Sequence, residues 1–570
     1  MRKSIVLASA LALGLAHPST GTRAAQAPAP APTPAAPAAT KYTYLETPAG
    51  KKPRVVITTD PELDDQNSLI RYLLMEDGYQ TEGLIYASSQ FHWMGDGKGT
   101  LFSLPNREYN RNGRNACPCS HWRWGPGSKH IDYAVDAYEK SYSNLKVHSK
   151  GYPTPAELRA TIKWGNVDFE GEMEHDTDGS NLIKSLLLDN INEPIYIHAW
   201  GGLSTIARAL KSIEDQYKNT PQWPAIRAKV ISKGVIHPSG AQDMTGANYT
   251  RPNWPEIRYG NGGGATASLG YNAQSSAADA DKVYYSAEWM QANVSSKGAF
   301  GQLQRVWGDG KQMEKGDWTD YFGESGKTTE QLTAEGYWVW TPPHPKGEFL
   351  GEGDTPTFLS LLDNGLQGWR QENRRNPNTI QTAGGTNIVP FGGGAPAPGG
   401  AAGAARGAGA APGAPGAAGA GRGAAGAAGA LGGGRGAAAP RQPSRFLRPL
   451  MDDLAERMTW AITPKYADAN HYPAVTLKDA KPSGRPGDVL SLSASAKDPD
   501  GNAVTLKWWR FDNNGTYAGA VTLDTTDGPS TSFRIPADAK PGDTIHIVAE
   551  ANDDGRLPLT RYARAIVTVK

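Results

Sequence analysis

The chain has 570 residues, 58 Lys and Arg against 57 Asp and Glu, and a formal net charge of +1. So even a balance gives no field to attract a polyanion, which sets nucleic acid aside as a partner. Two cysteines are too few for a zinc site or a disulfide framework.

Arg2 and Lys3, the apolar run 5–16 and small residues to Ala27 read as a secretory signal peptide over 1–27. The run is too short to span a bilayer, and no later stretch is long and apolar enough. A secreted or periplasmic product is expected, with oligomeric state open. Residues 28–49 begin with a Pro/Ala tract that reads as a stiff linker.

Val55–Ile57 then reads as a short buried strand ending in Asp60-Pro61-Glu62-Leu63-Asp64-Asp65, with a helix over 66–77 that turns Leu69, Ile70, Leu73 and Leu74 to a core. Carboxylates crowded at the carboxyl end of a strand repel one another and raise each other's pKa. A hard cation with oxygen ligands resolves that conflict. Acids that complement a helix dipole explain one or two such residues, not the whole run.

A second strand is expected over 83–87, followed by Ser88-Ser89-Gln90-Phe91-His92-Trp93, a polar and aromatic rim suited to a sugar. Ser89 and His92 are its candidate contacts, and His92 is the candidate acid for a leaving group. Cys117-Pro118-Cys119 reads as a local loop feature, because so tight a disulfide ring is strained. Helices are expected over 131–142, 181–187 and 203–213, and strands over 194–199 and 229–236. Such alternation argues for a parallel sheet covered by helices. Asp178, in Asp176-Thr177-Asp178, reads as part of a helix cap that also faces the site. Trp200-Gly201-Gly202 turns the chain sharply between strand and helix. Asp354, before Thr355-Pro356, fits a helix N-cap or a ligand.

Residues 393–440 are nearly all Gly and Ala, with no collagen period and too little apolar bulk to repay ordering. Met451–Trp460 reads as an amphipathic helix, followed by Ala469-Asn470-His471-Tyr472-Pro473. From 474 to 570 five alternating strands separated by Asp-, Asn- and Gly-rich turns read as a β-sandwich of immunoglobulin type. Asp498, Asp500 and Asp553 sit in those turns, where such residues are ordinary, and as a set they also suit a second Ca²⁺.

Asp60-Pro61-Glu62-Leu63-Asp64-Asp65 resembles the N-terminal signature of nucleoside hydrolases, and more specifically a family of secreted proteins named for a cellulose-binding member and built on a nucleoside-hydrolase-like domain. Thr58 stands where nucleoside hydrolases carry their first Asp, and Glu62 where they carry Gly. The resemblance implies that Asp60 and Asp65 ligate Ca²⁺, that Asp60 also activates water, and that Asp64 holds a sugar hydroxyl. It further implies the Trp200 carbonyl and Asp354 as ligands, and Asn253 and Trp254 as substrate contacts. Gly353 stands where nucleoside hydrolases often place His. The family's closing helix and Ala-Asn-His-x-Pro stretch extend the first domain over 50–473, with 393–440 a disordered surface insertion. The expected activity is a calcium-dependent hydrolase of glycosyl bonds on a carbohydrate or glycoside; the alternative is a non-catalytic carbohydrate- or cellulose-binding protein on the same fold.

Overall fold

The computed structural model describes residues 42–110, 115–125, 127–261, 269–366, 387–390, 445–511 and 515–570. The expected signal peptide, most of the linker and the Gly/Ala tract lie outside the described residues.

The first lobe is built on a seven-stranded sheet in the order β3-β2-β1-β4-β5-β6-β7. Its strands are β1 (Arg54–Thr59), β2 (Gln80–Tyr86), β3 (Ile162–Trp164), β4 (Ile195–Ala199), β5 (Gly234–Pro238), β6 (Arg258–Asn261) and β7 (Asn387–Pro390). All neighbouring pairs are parallel except β6 with β7. Every residue of β1 is buried, as a strand covered on both faces requires. Alternate residues feed two cores. Val55 and Ile57 face helices α1 (Leu63–Leu74) and α2 (His130–His148), whereas Val56 faces α4 (Asp178–Leu188), α5 (Ser204–Tyr217) and α6 (Trp223–Lys233). The short α3 (Pro155–Thr161) starts in a capping box, Thr154 with Glu157.

Helix α1 runs three residues earlier than the apolar period indicates, and its polar face is buried too. Asn67 donates to the carbonyls of Arg305 (3.1 Å) and Gly351 (2.9 Å), and Ser68 accepts from the amides of Asp354 (3.2 Å) and Thr355 (3.0 Å). Arg71 and Glu352, both fully buried, pair at 2.5 Å. These bonds hold the 351–355 segment against α1. One expected strand is corrected: residues 229–233 end helix α6, and only 234–238 form a strand. Its apolar run, Val230-Ile231, serves a buried helix face equally well.

Helix α7 (Leu447–Trp460) packs Leu447, Met451, Leu454 and Met458 into the α1/α2 core. The second lobe has two sheets. One pairs β12 (Ser530–Arg534), β10 (Val489–Lys497) and β8 (Ala474–Leu477); the other orders β11 (Val504–Arg510), β13 (Thr544–Asp553), β14 (Thr560–Val569) and β9 (Ser483–Gly484). Leu492 and Phe533 from the first meet Trp508, Ile547 and Val567 from the second in one core. Trp509 points the other way, packing on Phe446 (centroids 6.0 Å) beneath the Arg445 guanidinium (4.6 Å). Cys117 and Cys119, read from sequence as a local loop feature, are disulfide-bonded, with Cα atoms 4.6 Å apart.

Candidate functional site

The strand order reverses direction at β1, with β2 on one side and β4 on the other, so the carboxyl ends of β1 and β4 flank the switch point where open α/β sheets bind ligands. Asp60 follows β1 there, and Trp200 follows β4, its amide donating to the Thr58 carbonyl at 2.8 Å. Thr58 therefore serves strand pairing.

The acids of this turn do not cap. Glu62 and Asp354 occupy N-cap positions, yet neither side chain makes a capping hydrogen bond. Asp65 Oδ1 accepts from Thr59 Oγ1 (2.6 Å) and the Asp60 amide (3.2 Å), and Asp60 Oδ1 accepts from the Glu62 amide (3.2 Å). Asp64 Oδ1 accepts from Tyr271 Oη at 3.0 Å. Asp60 Oδ2 and Asp65 Oδ2 are buried with no hydrogen-bond partner. One ligand atom each from Glu62, Asp64 and Asp65 lie within 4.8 Å of one another, as do those of Asp60, Glu62 and His92.

Burial, and then the neighbouring Asp354 and Asp60 charges, push the Asp65 carboxyl well above the usual range. Burial and then Asp64 do the same to Asp354. Asp64 is raised to about 6, chiefly by burial, with the Tyr271 hydroxyl opposing. Burial also lowers His92 and takes His130 down to about 3, so both rings are neutral near pH 7. Orphaned buried carboxylate oxygens are costly, and an all-oxygen donor set facing inward is what a hard divalent cation takes. The residues present fit such an ion: Asp60 and Asp65 through their free oxygens, with the Asp64 and Asp354 carboxylates beside them, whereas the Trp200 carbonyl accepts from Gln242 Nε2.

His92 Nδ1 stands 3.5 Å from Asp60 Oδ1. Ser89 positions it: Ser89 Oγ accepts from the Phe91 and His92 amides (2.9 and 3.3 Å), which fixes the turn that carries His92. Glu62 and His92 open onto a pocket enclosing about 560 Å³, part of it open to solvent. Its apolar walls include Phe91, Tyr271, Phe322, Trp338 and Trp340; its polar side carries Arg123 with Glu108 and Asp317. Arg123 adopts φ 51°, a left-handed conformation rare for L side chains. It pairs with Glu108 (2.9 Å) and Asp317 (2.7 Å).

The other sequence candidates fall elsewhere. Asp178 is exposed in the first turn of α4, where Thr177 is the cap. Trp254 is buried in the second core beneath the Arg227 guanidinium, and Asn253 Nδ2 donates to the Tyr249 carbonyl at 2.8 Å. Neither lines this pocket. Sequence reasoning passed over Thr59, Tyr271, His130, Arg123 and the aromatic wall. The one visible signal was Trp338-Val339-Trp340, which sets two rings on alternate positions of an extended segment.

No curated protein matches the chain. Among solved structures, a nucleoside hydrolase-related hypothetical protein from Saccharophagus degradans, described as associated with carbohydrate metabolism, aligns over 91% of this chain and 100% of its own, with 21% identity and a TM-score of 0.59. That likeness concerns the fold. The titin M3 domain aligns over 17% of this chain and 96% of its own, at 14% identity and a TM-score of 0.13, and no argument rests on it. A family described as "Cellulose-binding protein Sde0182, C-terminal domain" matches residues 489–569. With its β1 acids at the sheet's switch point and more than half its length, residues 54–376, matched by the family described as "Cellulose-binding Sde182, nucleoside hydrolase-like domain", the chain belongs to that family.

Proposed function

We propose that the protein is an exported, calcium-dependent hydrolase of glycosyl bonds. The observation that carries the reading is the orphaned Oδ2 of Asp60, buried among four other acids, with Glu62 and His92 beside it lining an aromatic pocket. A bound Ca²⁺ would neutralise the cluster and offer open positions to sugar hydroxyls and a water. Asp60 would serve as the general base that takes a proton from the attacking water. Asp64, fixed by Tyr271, accepts from a sugar hydroxyl. The remaining carboxylate charge favours an oxocarbenium-like transition state, while Trp340 and Phe91 offer apolar faces to the ring. His92, beside Asp60, is the candidate acid for the leaving group: its ring, neutral near pH 7, would first take up the proton that Asp60 removes from the water and then pass it on.

The family's cellulose-binding description favours a second reading, a carbohydrate-binding protein without turnover. Nucleosides, aryl glycosides and plant-polysaccharide fragments are screened with full-length protein and with Asp60→Asn. Turnover by wild type that falls about 10²- to 10⁴-fold in Asp60→Asn supports the hydrolase. Equal turnover by both defeats the mechanism, and bound sugar without product after long incubation leaves the binder. The strand order of the second lobe supports an immunoglobulin-type sandwich, and its Trp509 contact with Phe446 supports a docked module.

A further inference from the structure

The junction between the lobes holds a second set of oxygen donors. Asp498 ends its β10 turn with Oδ1 accepting from the amides of Asp500 (2.8 Å) and Asn502 (3.0 Å). Asp553, at the end of β13, uses Oδ1 to accept from the amides of Gly555 (2.9 Å) and Leu559 (3.1 Å). The two turns are joined through side chains: Asn502 Nδ2 donates to Asn470 Oδ1 (2.8 Å), and Asn470 Nδ2 donates to Asp553 Oδ1 (3.0 Å). The 498–503 turn leads directly into Val504, which is the register partner of Asp553.

The second oxygen of each acid is left over. Asp498 is 6% exposed and Asp553 5%, yet Asp498 Oδ2 and Asp553 Oδ2 have no hydrogen-bond partner. The charged groups around them are engaged elsewhere: Arg556 with Glu456 (3.3 Å) and His471 with Asp500 (3.0 Å). Among the described residues no ion pair reaches Asp498 or Asp553. Ordinary turn chemistry explains the two Oδ1 atoms and leaves the two Oδ2 atoms unexplained.

We propose that Asp498 and Asp553 form a second site for a hard divalent cation, Ca²⁺ by its donor set, at the junction where Asn470 of the first lobe enters the sandwich. The ion would take both free carboxylate oxygens and complete its shell with backbone carbonyls and water. Because Asn470 bridges the two turns, and its neighbour His471 is tied to Asp500, occupancy would fasten the lobes together.

Calcium binding to chelator-stripped, full-length protein is counted by titration calorimetry. Wild type should bind two ions. Asp498→Asn and Asp553→Asn should each bind one, since Asn keeps Oδ1 for the turn and removes the charge; near-UV circular dichroism checks their fold, and the two substitutions lie in separate turns. Asp65→Asn, in the first lobe, should lose the other ion. If wild type binds a single ion that Asp553→Asn removes, the junction site stands and the first-lobe metal does not. If either junction variant binds as many ions as wild type with affinities unchanged within about twofold, or if Asp65→Asn removes all binding, the junction site is overturned.

Discussion

Gly353 gives a single residue's account of how this site departs from the nucleoside hydrolases it resembles. A Cβ built there would lie 2.2 Å from Asp64 Oδ2. The histidine that nucleoside hydrolases often carry at this point cannot be accommodated while Asp64 keeps its place beside Tyr271. Gly353→Ala should therefore swing the Asp64 carboxylate off the Tyr271 hydroxyl. The expected result is a loss of cation or sugar binding of about tenfold or more, with the melting temperature little changed; binding within twofold of wild type would count against this account. The acids of 60–65 were legible in sequence, because Asp60, Glu62, Asp64 and Asp65 directly after an apolar strand need a shared purpose. Tyr271, Arg123 and His130 were not: each reaches the site from a segment whose position only the tertiary fold sets. Asn253 and Trp254 do not line the pocket, and a motif match carries no information on which way a side chain points.

At the scale of elements, the 351–355 segment stays in place through α1. Breaking the buried Arg71–Glu352 pair leaves an uncompensated charge, so Arg71→Met should cost about 3–5 kcal/mol, and the double change with Glu352→Gln should cost less. Urea midpoints measure both; a single variant within about 1 kcal/mol of wild type would refute the role. The turn after α1 carries a pH effect. Burial raises the Glu76 carboxyl to about 8, and its Oε2 has no partner. The folded state thus holds this proton more tightly than the unfolded chain. Its contribution is full below the ordinary carboxyl value near 4.5 and is lost as pH rises toward 8. Glu76→Gln should gain on wild type in melting temperature between pH 5 and pH 9, and parallel curves would contradict it. The regular elements β1, β2, α2, α4, β4 and α5 were legible because their apolar periods are long. Residues 238–352 were not, because short helical turns joined by side-chain bonds leave no period to read.

Across the whole molecule, the sandwich was legible from alternation and turn chemistry, and alternation along β11 sets the adjacent Trp508 and Trp509 on opposite faces. What sequence did not reveal is how far apart in the chain the site's supports lie. Arg71 bonds to Glu352 and to the Leu450 carbonyl, 281 and 379 positions further on. Contacts of that span form late, after the local strand–helix units. Until they do, the β1 acids sit in water, where their mutual repulsion is small and their hold on an ion is weak. If calcium occupies the proposed site, this order of assembly sets what it would do in time: it would act after the rate-limiting step, as a latch that keeps the finished fold from reopening. Stopped-flow refolding should be as fast in chelator as in calcium, whereas unfolding should slow with calcium roughly in proportion to the stability gained. Calcium-accelerated refolding would show instead that the ion gathers the chain. A latch of this kind would make the protein's lifetime, more than its yield, answer to the calcium around it.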